Sequence, residues 1–172
     1  MKVRAATIAD AEECARVHSE SSEAAYGRPR DRERTLENWR TIFGADCAPF
    51  VAEENGAIVG VLNVGPAHDE EGIGELYVIY VLAESWGTNA GQLLIEQAHE
   101  TLSARFDEAV LTVLASNPRA RRFYERNGWT LDEVLTELHF GGEPTEVARY
   151  RKRFSHESGS AHTESGSEQG RT

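Results

Sequence analysis

The residues from Gly74 to Leu94 constrain the fold of this 172-residue chain more than any other segment. A β-rich apolar run over 73–82 leads into a short loop with glycines at Gly87 and Gly91, and a helical pattern begins at once after it. The first backbone N–H groups of a helix have no internal partner, and the helix dipole adds positive charge there. The order strand, tight loop, helix therefore predicts an anion pocket at residues 86–91. A Rossmann dinucleotide site is disfavoured, because no G-x-G-x-x-G follows the first strand of a βαβ unit.

Hydrophobic periodicity predicts the order β, α, α, β, β, β, α, β, α, β, β along the chain. The predicted strands lie at 2–6, on both sides of the Asn55-Gly56 turn, and at 73–82, 109–114, 130–140 and 145–153. The predicted helices lie at 8–25, 31–43, 89–105 and 118–127. In the third helix one apolar stripe is expected, formed by Ala90, Leu93, Leu94, Ala98 and Leu102. This order predicts an α/β fold with a mixed sheet of about seven strands and about four helices on both faces.

The chain is long enough for one domain with a real core, which we assign to residues 1–154. From Ser155 onward Ser, Gly, His, Glu and Thr dominate, and no large apolar residue is present. We therefore expect residues 155–172 to form a disordered polar tail that is dispensable for stability and for ligand affinity.

Composition narrows the classes of partner. The formal net charge of −11 argues against nucleic acid. No apolar run reaches the ~18 residues of a membrane helix, and no signal core precedes the first strand, so a cytoplasmic protein without a membrane partner is expected. Cys14 and Cys47 have no metal-ligand spacing, so we expect free thiols and no metal site.

A second informative run spans residues 117–129. With the loop at 86–91 it resembles the GNAT superfamily of acyl-CoA-dependent N-acetyltransferases, whose motifs read Q/R-x-x-G-x-G/A and, later, N-x-x-A-x-x-F-Y-x-x-x-G-F. The later motif is matched by Asn117, Ala120, Phe123, Tyr124, Gly128 and the aromatic Trp129. In the earlier motif Gly91 fits, whereas Trp86 stands where Gln or Arg is usual and Asn89 where the central Gly is usual. The resemblance covers about residues 1–154.

The resemblance implies acetyl-CoA as co-substrate and no metal. It places the cofactor against Val81, Trp86, Gly87, Thr88, Asn89, Ala90, Gly91, Asn117 and Tyr124. Asn tolerates the left-handed backbone that a glycine would adopt, and it also caps helices, so either role is open to Asn89. Thr88 stands where many relatives carry Lys or Arg, which removes one phosphate contact.

The same resemblance implies acetyl transfer to a primary amine by direct attack, without a covalent enzyme intermediate. Tyr124 is then the general acid that protonates the leaving thiolate, although a purely packing role is the alternative. Glu75, in an otherwise apolar strand, is the best base, and a merely solvated carboxylate is its alternative. Strand alternation predicts Glu75, Tyr77 and Ile79 on one face. The backbone of Val81 is expected to polarise the thioester carbonyl.

The acceptor is less constrained. A small-molecule amine, a protein N-terminus and a protein lysine all fit, and a non-catalytic acyl-CoA-binding module and a homodimer both stay open. We expect Ser22, where close relatives often have Trp, to enlarge the acceptor pocket, and His18 to be a packing residue. His68 lies in an acidic loop with Asp69, Glu70 and Glu71 that could attract a cation but is more simply a solvated charge run.

Overall fold

The computed structural model describes residues 1–27, 30–139 and 143–155; the predicted turn at Gly141-Gly142 and nearly all of the predicted tail lie outside them. Seven strands are present: β1 Lys2–Ala5, β2 Ala48–Glu54, β3 Ala57–Pro66, β4 Gly74–Val81, β5 Glu108–Leu114, β6 Thr130–His139 and β7 Glu143–Arg153. Four α-helices accompany them: α1 Ala11–Tyr26, α2 Arg32–Ile42, α3 Ala90–Ser103 and α4 Pro118–Arg126. A short 3₁₀ turn, Ile8–Asp10, precedes α1.

The strands form one mixed sheet in the order β1-β2-β3-β4-β5-β7-β6, in which β4 and β5 are parallel and all other pairs are antiparallel. Helices cover both faces. His18 of α1 stacks on Tyr80 of β4, whereas a Cβ added to Gly60 of β3 would meet Leu94 of α3. Tyr80 and Gly60 belong to successive cross-strand pairs, whose side chains point to opposite faces. The predicted α/β fold class is confirmed.

The apolar core lies between the sheet and these helices. In α3 the buried stripe contains Ala90, Leu94, Ala98 and Leu102 as predicted, but Ile95 takes the place expected for Leu93. Ile95 is fully buried, and Leu93 is only half-buried. The stripe therefore continues through i, i+4, i+5 and i+8, which turns α3 slightly relative to the predicted orientation.

A β-bulge in β4 contradicts the strict alternation predicted for that strand. Asn63 of β3 pairs with Val78, but the next residue, Val64, pairs with Leu76, so Tyr77 is an extra residue. Glu75 and Tyr77 do share a face, since both contact His68. Beyond the bulge the alternation is reversed, so that Tyr80, not Ile79, lies on the α1 face with them.

The sheet opens between β4 and β5. Their parallel pairing covers only Gly74 to Leu76 of β4, although β4 continues to Val81 and β5 to Leu114. The Leu82 N–H donates to the Val59 carbonyl at 2.9 Å. Because successive residues of an antiparallel strand point their N–H and C=O groups to alternate sides, those of Ile79 and Val81 face away from β3 and into the opening.

Candidate functional site

The largest cavity, about 580 Å³, lies in the opening between β4 and β5. Its walls come from the C-terminal turn of α1, the residues of β4, the start of α3 and the inner face of α4. Seven of the residues predicted to bind the cofactor line it: Val81, Trp86, Gly87, Thr88, Gly91, Asn117 and Tyr124. The other three predicted site residues, Glu75, Asn89 and Ala90, do not line this cavity.

The loop before α3 uses glycine at one position only. Gly87 has φ +83°, whereas Asn89 has φ −82° and makes no side-chain capping hydrogen bond. Both structural roles considered for Asn89, the left-handed conformation and the helix cap, are therefore wrong. Thr88 caps instead, because its hydroxyl accepts from the Ala90 N–H at 3.3 Å and donates to the Ser85 carbonyl at 2.7 Å. The N–H groups at the start of α3 stay beside the cavity at Gly91.

Trp86 and Arg119 form the cationic edge of the cavity. The Trp86 indole N–H donates to the Val81 carbonyl at 2.8 Å, and the Arg119 guanidinium carbon lies 3.7 Å from the centre of the Trp86 ring. Residues 82–91 contain no lysine or arginine, and among the described cavity residues the basic ones, Arg119 and Arg126, come from α4. Sequence reasoning missed Arg119; the signal was a loop without a cation followed by an arginine-rich helix start.

Tyr124 is almost fully enclosed, with 7% of its surface exposed, and its ring packs against Phe123 and Trp129. Burial raises the pKa of Tyr124 well above its usual range, and the neighbouring phenols of Tyr26 and Tyr80 raise it further. The hydroxyl therefore keeps its proton and is available as a donor toward the cavity that the residue lines.

Asn117 serves both of the roles predicted from its position. Its Oδ1 accepts from the Ala120 N–H at 3.1 Å, which caps α4, and its Nδ2 donates to the Tyr26 hydroxyl at 3.4 Å. The second hydrogen bond connects the start of α4 to the end of α1 across the cavity, so Asn117 helps to fix the distance between the two walls.

Glu75 lies on the far side of the β4 bulge. Its Oε2 is 3.1 Å from His68 Nδ1 and accepts from the His68 backbone N–H, also at 3.1 Å. The Glu75 side chain is 20% exposed. His68 and Tyr77 line a second cavity of about 500 Å³, which shares Tyr77 and Val78 with the first. Glu75 is thus held at the second cavity, whereas Tyr124 lines the first.

The remaining candidates have structural roles. His18 Nδ1 accepts from the Trp39 indole at 3.3 Å, and burial lowers the pKa of His18 to about 3, which fits the packing role predicted for it. Ser22 is buried and its hydroxyl accepts from Arg30 Nε at 2.7 Å, so it does not line the main cavity as expected; Ser21 does.

The acidic loop between β3 and β4 is anchored to the sheet. Arg149 of β7 contacts the Asp69 carboxylate at 2.6 Å and the Glu70 carboxylate at 3.1 Å, and Arg151 contacts Glu70 at 2.9 Å. Arg149 holds the pKa of Asp69 below its usual value. These carboxylates are already paired, so the loop positions His68 and Glu75 more than it attracts a cation.

Cys14 and Cys47 are free thiols, as predicted. No helix of the described part of the chain is long and apolar enough to cross a membrane. Over residues 1–27, 30–139 and 143–155, no group of three or more His, Cys, Asp or Glu side chains is placed to hold a metal ion.

A parallel strand pair that separates beside a helix N-terminus, with arginines on one wall, defines a class of α/β protein built around a cleft for a long anionic ligand. The profile of the Acetyltransferase (GNAT) family matches residues 11–129. The chain therefore belongs to the GNAT family, which confirms the predicted resemblance and makes the protein an acetyltransferase by family.

Relatives of known sequence or structure agree. The mycothiol acetyltransferase of Streptomyces griseus is 40% identical over 86 residues, which are 49% of this chain and only 28% of that one. An uncharacterized N-acetyltransferase of Archaeoglobus fulgidus is 33% identical over 133 residues, 72% of this chain and 89% of that protein. The PaiA N-acetyltransferase of Thermoplasma acidophilum, solved in complex with coenzyme A, superimposes with a TM-score of 0.68 at 18% identity, over 89% of this chain and 98% of that one.

Proposed function

We propose that the protein transfers the acetyl group of acetyl-CoA to a primary amine by direct attack. The observation that carries the proposal is the opening between β4 and β5, because one cavity there combines the backbone of Val81, the start of α3 and the Tyr124 hydroxyl. Family membership supports the reaction class, and free thiols at Cys14 and Cys47 support a reducing, cytoplasmic compartment.

The cavity suits acetyl-CoA in its donor groups. N–H groups at the start of α3 and the guanidinium of Arg119 are donors for phosphate oxygens. The N–H groups of Ile79 and Val81, directed into the opening, are donors for the amide and thioester oxygens of an extended arm. Arg119 in this arrangement replaces the cation that the loop lacks at Thr88.

When bound, acetyl-CoA supplies a thioester carbonyl that an amine can attack. The Val81 N–H would stabilise the charge that develops on the carbonyl oxygen. The Tyr124 hydroxyl would donate a hydrogen bond to the departing sulfur, and because its pKa is raised, stabilisation by hydrogen bonding outweighs complete proton transfer. As the C–N bond forms and the C–S bond breaks, the proton lost by the amine would pass to Glu75, which His68 holds in place.

The test is a thiol-release assay with acetyl-CoA and a panel of primary amines, run on wild type, Tyr124→Phe and Glu75→Gln. Tyr124→Phe keeps the packed ring, so kcat and kcat/KM should fall together, by about 10²-fold at the low end of acid catalysis, with acetyl-CoA affinity unchanged. Glu75→Gln should move the pH at which the rate falls on the acid side. Wild-type turnover in both variants would contradict the assigned roles.

A non-catalytic acyl-CoA-binding module is the second reading, favoured by one feature: the loop departs from the family pattern at Trp86 and Asn89. Calorimetry separates the two. Acetyl-CoA binding without thiol release for any small amine or peptide would support the module, and no binding at millimolar ligand would contradict both readings.

A further inference from the structure

The second cavity contains a buried oxygen without a partner. Asn63 of β3 is 3% exposed and lines this cavity, and its Oδ1 has no hydrogen-bond partner in the part of the chain that the structure describes. A buried carbonyl oxygen without a donor is costly, so such an atom points to a ligand or a water that supplies one.

The surroundings of Asn63 fix the direction of its amide. Burial raises the pKa of the adjacent Cys47 thiol, and a hydrogen bond from the Asn63 side chain offsets part of this effect. The neutral thiol in turn donates to the Ile42 carbonyl at 3.2 Å. The N–H side of the Asn63 amide is therefore occupied by Cys47, and the oxygen is left for the cavity.

The cavity favours a cation. No lysine or arginine is among the described residues that line it, and the Asp46 carboxylate lies at its rim, where Arg105 contacts it at 3.0 Å. The Tyr77 hydroxyl already donates to the Pro66 carbonyl, so it is not a donor for the orphan oxygen. The wall therefore offers acceptors rather than donors, which matches an ammonium group.

We propose that Asn63 Oδ1 binds the ammonium group of a primary alkylamine that enters through the second cavity, which makes Asn63 an acceptor-binding residue. Two observations connect this cavity with the reaction, on which the inference rests. It shares Tyr77 and Val78 with the first cavity, and His68, which holds Glu75, lines it. The amine thus reaches the bulge of β4 from the side of the base, opposite to the cofactor.

The experiment measures binding of butylamine by saturation-transfer NMR, with butan-1-ol as a neutral probe of similar shape. Wild type should bind butylammonium and not butan-1-ol. Asn63→Leu keeps the branched shape and removes the oxygen, so its dissociation constant for butylammonium should rise about tenfold, the loss of one charge-assisted hydrogen bond. Its affinity for acetyl-CoA should not change, which also shows that it folds.

Asn63→Asp is the second variant, because it keeps an oxygen and adds charge. It should bind butylammonium at least as tightly as wild type. Equal affinity of wild type and Asn63→Leu would show that the oxygen holds only a water molecule, and weaker binding by Asn63→Asp, or no binding by wild type, would also overturn the site. Butylammonium binding without thiol release would contradict the proposed acetyl transfer and leave the site intact.

Discussion

Arg119→Met should weaken acetyl-CoA binding while leaving acetyl-pantetheine unaffected, because only the former carries phosphates. Arg119 lines the main cavity beside a loop without basic residues, and its guanidinium is the group that stacks on Trp86 at 3.7 Å. A hydrogen bond to a charged partner contributes about 1.5–3 kcal/mol. Because Arg119 is exposed, we take the lower end, which corresponds to about a tenfold rise in the dissociation constant.

Arg122→Met is the matched control, since Arg122 is also exposed on α4 but does not line the cavity. Calorimetry at two salt concentrations gives a second readout: removal of a phosphate contact should make the affinity of Arg119→Met less sensitive to salt. An equal loss for acetyl-CoA and acetyl-pantetheine would refute phosphate recognition, and so would identical behaviour of Arg119→Met and Arg122→Met.

Trp86 should act on the cofactor through Arg119. An exposed cation–π contact is worth about 0.5–1 kcal/mol, so Trp86→Leu should weaken acetyl-CoA binding about two- to fivefold. In the double variant this loss should disappear, because the arginine that the ring orients is absent. Full additivity of the two losses would show that Trp86 contacts the ligand independently.

Two further predictions concern stability. The folded pKa of His18, about 3, lies below its ordinary 6.5, so the unfolded chain binds the additional proton and stability present above pH 6.5 is lost as the pH falls. Urea unfolding should show up to about 2 kcal/mol of this loss between pH 7 and pH 5, absent in His18→Phe. Gly74→Ala should cost about 1–3 kcal/mol, because its Cβ would lie 2.6 Å from Leu102 Cδ2, whereas Gly44→Ala, with only a 3.7 Å contact, should be nearly neutral.

The order of elements could be predicted because each has a strong local signal. The period of the apolar residues identified α3, and the Asn55-Gly56 turn identified the hairpin, in which both residues have positive φ. Asn117 could be predicted as both cap and cavity residue because α4 starts with Pro118 directly after it. These signals come from neighbours in sequence, so no knowledge of the packing was needed.

The features that failed depend on contacts between distant segments. The bulge at Tyr77 arises from the pairing of β4 with β3, and nothing in residues 74–81 alone marks it. The conformation of Asn89 depends on Thr88, whose hydroxyl caps the helix first. The separation of Glu75 from the main cavity follows from the bulge, and the stacking of Arg119 on Trp86 joins residues 33 positions apart.

The bulge also explains why acid and base can lie on different cavities and still serve one reaction. Without the extra residue, Val78 and Tyr80 would face α3, and the α1 side of the opening would lose two of its walls. With it, Tyr77 and Val78 form a partition that both cavities share. A cofactor approaching from Tyr124 and an amine approaching from Glu75 and Asn63 would then meet at one strand, where the pairing of β4 with β5 has already ended.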